Sequence, residues 1–266
     1  MKKPTALVFS GYGLNCEEET AHAFELAGAN IEITHINDII DRASILDDTQ
    51  ILAFPGGFSY GDDTGSGNAF ANRVRNHLWD AIHSFIQKDK LVIGICNGFQ
   101  ILTNLGLVPA LNNAYGERQA ALLPNTSARY INRWVDVKVR TLTPWLKGIK
   151  EMSLPIAHGE GRFYAAPEVL NHIVRNKLVA LEYTTGEICE YQGLEANPNG
   201  ALKDIAGIID TSGRILGMMP HPERAMFFTQ YPNWPYLKDQ LVRKGKKIPE
   251  YGQGLQVFKN GVEYFS

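Results

Sequence analysis

With 266 residues, 44% of them hydrophobic and 20% charged, the chain has apolar material for a sizeable core, which excludes long disorder. A formal net charge of −2 gives no electrostatic footing for nucleic acid or an anionic membrane, and no apolar run reaches the roughly 18 residues of a membrane span. Three widely spaced cysteines, Cys16, Cys96 and Cys189, argue against a disulfide framework and for a reducing, cytoplasmic setting.

The opening stretch Met1–Gly13 has two lysines and a short apolar run, but not the longer apolar region and small-residue cleavage site of a signal peptide. Thr5–Ser10 reads as a buried strand, Gly11–Asn15 as a turn, and Cys16–Thr20 as the acidic first turn of a helix that Gly28 ends. Ile31–Ile36 alternates like a strand, Asn37–Asp48 is mixed, and Ile51–Phe54 is a short apolar strand closed by Pro55-Gly56-Gly57. Asn68–Lys88 carries a helical stripe of Ala69, Val74, Leu78, Ala81, Ile82 and Phe85. Strand, helix, strand, loop, strand predicts a parallel sheet with helices on both faces, and functional groups at the carboxyl ends of its strands.

Lys90–Leu105 is the stretch around which the chain is organised. An apolar run ends in Gly94-Ile95-Cys96-Asn97-Gly98, and Phe99, Leu102 and Leu105 then follow at helical spacing up to Gly106. This predicts a strand, a sharp turn and a helix, with Cys96 at the apex and small neighbours that tolerate a strained backbone. There the sulfur would be exposed at the end of a sheet and beside a helix N-terminus, whose dipole favours a thiolate. A buried structural cysteine is the plainer alternative.

Pro55–Gly67 has five glycines in thirteen residues and follows a strand, so it belongs beside Cys96. Glycines there let backbone N–H groups approach a ligand. An oxyanion hole needs two such donors: the N–H of Asn97, and one from Gly57 or Phe58. A phosphate loop is the competing reading, although the G-K-[ST] ending is missing.

Beyond the elbow, Leu107–Leu111 and a loop lead to Leu123, and Asn125–Arg140 turns strand-like. Met152–Phe163 sets His158, Glu160 and Arg162 after a short apolar strand. Lys177–Thr184 is a strand, and Ile205–Met219 is a hairpin turning at Thr211-Ser212-Gly213. The hairpin runs into Pro220-His221-Pro222-Glu223-Arg224. Two prolines restrict the histidine to an extended backbone, and Glu223, two residues on, falls on the same side. His221 would take the proton of Cys96, and Glu223 would hold the imidazole tautomer. The remaining histidines form no cluster with metal-ligand spacing, so no metal is expected. From Phe227 the chain turns aromatic and then basic, and Gly254–Phe265 reads as a closing helix. No repeat or linker is visible, so residues 1–266 read as a single domain with a C-terminal extension from about 227.

The set GICNGFQ, PGGFSYGD and PHPER, in this order, resembles the class I glutamine amidotransferases, and with Gly13-x-Asn15-Cys16-Glu17 and LPIAHGEGRF it resembles the glutaminases of phosphoribosylformylglycinamidine synthase. The matching motifs run from residue 13 to residue 224. The resemblance implies a three-layer α/β fold with a mostly parallel central sheet. It implies Cys96, His221 and Glu223 as the catalytic set, with Gln100 and Phe58 at the substrate L-glutamine. It also implies a synthetase partner that holds ATP and magnesium, with room for a small accessory subunit and no cofactor in this chain. His158, Glu160 and Arg162, by loop position and charge, are expected on the docking or coupling surface. Phe99 stands where some relatives have a second cysteine. Rival readings are the glutaminase of another biosynthetic synthase, such as GMP or CTP synthase, and a peptidase or γ-glutamyl hydrolase on a similar elbow. A binding subunit with a degenerate site is a further rival.

Overall fold

A computed structural model describes residues 3–266, so the first two residues of the opening stretch lie outside it. The amino-terminal half alternates strand and helix: β1 (Thr5–Ser10), α1 (Glu17–Ala27), β2 (Asn30–His35), α2 (Ile36–Asp41), β3 (Ile51–Phe54), α3 (Asn68–Gln87), β4 (Leu91–Ile95) and α4 (Asn97–Leu105). The second half contains β5 (Ala120–Leu123), β6 (Ile131–Val139), β7 (Glu151–His158), β8 (Arg162–Ala165), α5 (Pro167–Arg175), β9 (Val179–Thr184), α6 (Glu187–Gln192), β10 (Ile205–Ile209) and β11 (Ile215–Met218). It closes with α7 (Trp234–Arg243) and α8 (Gly254–Glu263).

Nine strands form one sheet in the order β2-β1-β3-β4-β11-β10-β9-β6-β7, and β5 pairs with β8 outside it. The first five strands in that order are parallel, and the remaining pairings are antiparallel. The expected parallel sheet is therefore correct for one half, and the hairpin extends it with an antiparallel half. The central strands β3, β4, β10 and β11 are buried along their whole length, because layers cover both faces.

From β1 the chain steps to β2 on one side, then to β3 and β4 on the other. Right-handed crossovers then place α1 and α3 on opposite faces. The direction changes between β1 and β3, and a crevice opens at such a point beyond the carboxyl ends of the strands. The loops after β1, β3 and β4 all end there.

Phe9 of β1 stacks on Phe54 of β3 at 4.3 Å and meets Phe70 of α3 edge-on at 6.1 Å. On α1, Phe24 meets Phe258 of α8 edge-on at 4.9 Å, and Trp145 closes the same cluster. The segment after residue 227 thus returns to cover α1. Strand β6 begins only at Ile131, because residues 125–130 form a loop held by Asn125 N–H on Gly159 O at 2.9 Å and Thr126 N–H on Asn199 O at 3.1 Å. Helices α5, α6 and α7 carry no sequence expectation above. All are short, and none buries more than two residues.

Candidate active site

Cys96 occupies the turn between β4 and α4 with φ 52° and ψ −107°, a region that costs a non-glycine residue on the order of 1–3 kcal/mol. Its neighbours explain how the turn survives. A Cβ at Gly98 would stand 1.8 Å from Phe54 O, and one at Gly94 would stand 2.6 Å from Gly98 O. The elbow is therefore pressed against β3 and its own strand, which only glycine permits. Cys96 N–H donates to Met218 O at 2.8 Å, locking the turn to β11. The sulfur is not exposed as expected: Cys96 is 4% accessible, with Sγ 3.7 Å from Ala157 O. The crossing of β7 past the elbow covers it.

His221 follows β11 and lies at the same end of the sheet, 2% accessible. Its N–H donates to Pro155 O of β7 at 2.8 Å. Glu223 is not in an extended stretch; Pro222–Arg224 is a short 3₁₀ turn begun by the proline. The turn still brings Glu223 Oε1 to 2.5 Å from His221 Nδ1, both groups being buried. Burial alone would lower the His221 pKa. The Glu223 carboxylate, with Cys96 and Cys16 also facing the ring, holds it well above the ordinary imidazole value. His221 Nε2 has no protein partner among the described residues.

The glycine loop reaches the elbow through side chain and backbone. Asn97 Oδ1 accepts from Ser59 N–H at 3.2 Å. Phe58 N–H donates to Gly13 O at 2.8 Å, so it is not the oxyanion donor. Gly57, at φ 151°, has its N–H without a backbone partner among the described residues, and Asn97 N–H is an unpaired donor of the first turn of α4. Gly57 and Asn97 thus both keep a backbone N–H without a backbone partner among the described residues. The Phe58 ring is 41% exposed and 6.0 Å from that of Tyr130, and together they line the mouth.

Gln100 is buried on α4 with both ends of its amide engaged: Oε1 accepts from Asn97 Nδ2 at 2.8 Å, and Nε2 donates to Glu160 O at 2.6 Å. Glu160 Oε2 in turn accepts from Ser66 N–H at 3.1 Å. A recess of about 240 Å³ opens beside these groups, lined also by Arg118 and Asn104. Nearby, burial raises the Asp62 carboxyl to about 6.

The expectation that His158, Glu160 and Arg162 form a docking surface needs correction at its first member. His158 ends β7 on the inward side of a strictly alternating strand and is 2% accessible, with Nδ1 3.1 Å from Asn125 Oδ1. Burial, with His221 nearby, pushes its pKa down to about 3. It is a neutral part of the site interior. Glu160 frames the recess, and Arg162 is half-buried, with Nε donating to Pro124 O at 2.9 Å.

Cys16, read from the sequence alone, passes for a small buried residue. It is buried, but its sulfur lies near the His221–Glu223 pair: donor atoms of Cys16, His221 and Glu223 fall within 4.8 Å of one another. That spacing would fit a metal ion. Arg224 Nη2 sits 2.8 Å from Cys16 Sγ, however, and Glu223 is already bonded to His221. Cationic guanidinium and metal compete for the same sulfur, so the donor set does not fit a metal. The signals for Cys16 in the sequence were its place after the turn that follows β1 and its position in the motif Gly13-x-Asn15-Cys16-Glu17. Cys189 serves elsewhere, its N–H donating to Asp136 Oδ2 at 2.8 Å.

The family model of the CobB/CobQ-like glutamine amidotransferase domain matches residues 3–265. A phosphoribosylformylglycinamidine synthase subunit PurQ from Methanococcus maripaludis is 50% identical over 99% of this chain and 98% of its own length. One from Dehalococcoides mccartyi is 41% identical over 99% and 98%. The chain belongs to the PurQ family. The solved structure of PurLQS from Thermotoga maritima matches with a TM-score of 0.72 and 29% identity over 100% of both chains. A putative GMP synthase subunit from Thermoplasma acidophilum, at a TM-score of 0.57 and 14% identity, shares the fold. In this chain the glycine loop, the elbow and the His221 turn follow the adjacent parallel strands β3, β4 and β11, within the three-layer fold that the resemblance implied.

Proposed function

We propose that the chain is the glutaminase subunit of a phosphoribosylformylglycinamidine synthase and works at Cys96. The observation that carries the chemistry is the buried His221–Glu223 pair at 2.5 Å, set at the same strand ends as the strained Cys96 elbow. The family supplies the substrate: L-glutamine, with its side-chain amide in the oxyanion pair Gly57 and Asn97.

Cys96 gives its proton to His221, and the sulfur attacks the amide carbon. The carbonyl oxygen takes the negative charge, held by the two N–H groups. As the tetrahedral intermediate collapses, His221 returns its proton to the leaving nitrogen, and ammonia departs from a glutamyl thioester. His221 then takes a proton from water, which attacks the thioester; glutamate leaves and Cys96 is regenerated. Glu223 keeps the proton of the imidazole on Nδ1 throughout and stabilises the imidazolium. Gln100 and Glu160 shape the wall beside the substrate, and Phe58 covers it.

Ammonia released into water is protonated and lost, so the proposal includes a synthetase partner that receives it and binds ATP, magnesium and the formylglycinamide acceptor. Three free cysteines support a cytoplasmic setting, and no described helix is long and apolar enough to cross a membrane. The test is Cys96→Ala in the complex with the synthetase subunit. Glutamine-dependent synthesis is expected to vanish while ammonium-dependent synthesis persists, and mass spectrometry of quenched wild type is expected to find a glutamyl adduct on Cys96 alone. Glutamine hydrolysis that survives the substitution refutes the assignment.

A further inference from the structure

Cys16 has no part in the steps above, yet its sulfur is held like a component of the site. Its backbone N–H donates to Gly56 O at 3.2 Å, which joins the start of α1 to the glycine loop. Arg224 Nη2 donates to Sγ at 2.8 Å, and the same guanidinium holds Glu19 Oε1 of α1 at 3.2 Å and 3.3 Å. Arg224 Nε lies 4.0 Å from Glu223 Oε1. A sulfur fixed by a guanidinium is doing more than filling space.

The other side of the sulfur faces the imidazole. A Cβ at Gly56 would meet His221 Cε1 at 2.8 Å and Cys16 Sγ at 2.9 Å, so the absent side chain of Gly56 is what lets ring and sulfur close on one wall. The groups around His221 are Cys96 from the elbow, Cys16 from the cap of α1, His158 from β7, Tyr130 from the loop before β6, and Glu223 and Arg224 from its own turn. Glu223 fixes only the Nδ1 edge, leaving rotation about that bond to be stopped by something else. Cys16 is the polar group placed to stop it.

We propose that Cys16 is a positioning residue: its sulfur, anchored by Arg224, holds the His221 imidazole in the plane from which it serves Cys96. The proposal rests on the reading of His221 as the proton carrier. Arg224, paired with Glu19, holds the sulfur, and the sulfur lies within 4.8 Å of the ring as a polarisable wall that favours the imidazolium over the neutral ring. Loss of the sulfur should therefore act on turnover and on the titration of His221, not on glutamine affinity.

The experiment uses the complex with the synthetase subunit and glutamine hydrolysis across pH. Cys16→Ala is expected to lower kcat about tenfold, with KM for glutamine held within about twofold, the scale of a sub-ångström misplacement of the imidazole felt in the transition state. It is also expected to move the alkaline limb of the kcat profile, where the imidazolium is lost, to lower pH. Cys16→Ser keeps an acceptor in place and is expected to recover both rate and limb. Wild-type kcat and profile in Cys16→Ala overturn the proposal. So does an equal loss in both variants with an unmoved limb, which marks packing alone. The melting temperature of each purified variant reports folding. If Cys16→Ala does not fold, Arg224→Gln takes its place, and a limb that stays put in that variant overturns the proposal. Cys96→Ala is run alongside: hydrolysis surviving there refutes the triad, whereas its loss there with no effect at Cys16 refutes only the role of Cys16.

Discussion

Replacing Gly56 by alanine tests whether the wall between β1 and β3 sets the catalytic geometry. The new methyl would stand 2.8 Å from His221 Cε1 and 2.9 Å from Cys16 Sγ. Ordinary contact between carbon atoms begins at about 3.5 Å, so the imidazole has to retreat by about 0.7 Å. Gly56 does not have a left-handed φ, so alanine adds no backbone strain there, and both clashing atoms belong to side chains. The fold therefore loses only the overpacking term of about 1–3 kcal/mol. Catalysis is more sensitive, since a displacement of about 1 Å can cost on the order of 100-fold. The expected outcome is a kcat for glutamine hydrolysis lowered between about 10-fold and 100-fold. Ammonium-dependent synthesis by the same complex should be unchanged. The assay is glutamate release with purified complex, with ammonium in place of glutamine as the internal control. A Gly56→Ala enzyme with wild-type kcat refutes the argument that this wall positions His221.

Glu223→Gln keeps the shape but removes the charge that holds the His221 pKa up, so kcat is expected to fall by on the order of 10² to 10⁴, with the alkaline limb of its pH profile displaced to lower pH. An unmoved limb speaks against the pairing seen at 2.5 Å. Gly98→Ala would set a methyl 1.8 Å from Phe54 O, a backbone atom that cannot turn aside, and the loss of stability is expected to reach about 3 kcal/mol or more in urea titrations. His158 carries the sign of a buried neutral imidazole. Its pKa is about 3 in the fold, so stability from keeping it neutral is present above the ordinary value and is lost as pH falls from about 6.5 toward 3. Denaturant midpoints of wild type should therefore fall more steeply over that window than those of His158→Gln, and parallel curves would contradict the buried assignment.

Much of the site was legible because its parts are local. A strand, a nucleophile and a helix start need small residues at fixed offsets, and Gly94-Ile95-Cys96-Asn97-Gly98 provides them within five positions. The His221 and Glu223 partnership is likewise local, although the sequence pointed to an extended segment where a proline-started 3₁₀ turn performs the pairing. The expected docking role of His158 failed for a physical reason. A loop beyond a strand looks exposed when read along the chain, whereas the last residue of an alternating strand points inward if its phase so dictates. Helices α5 to α7 escaped notice because six to ten residues are too few to establish a helical period.

By itself, then, the sequence determined the elements of the parallel half, the elbow and the residue types of the catalytic set, because short-range sterics and hydrophobic period decide those. Only the tertiary structure decided which loops meet. The reversal of strand order between β1 and β3 brings Cys16, Gly56 and Cys96 to one crevice from positions forty residues apart along the chain. The antiparallel extension then places β7 over the sulfur and buries the charged pair beneath it. Burial is a property of what packs on a residue, and no local pattern carries it: that is why Cys96 proved enclosed rather than exposed, and why Cys16 proved to lie within 4.8 Å of the His221–Glu223 pair.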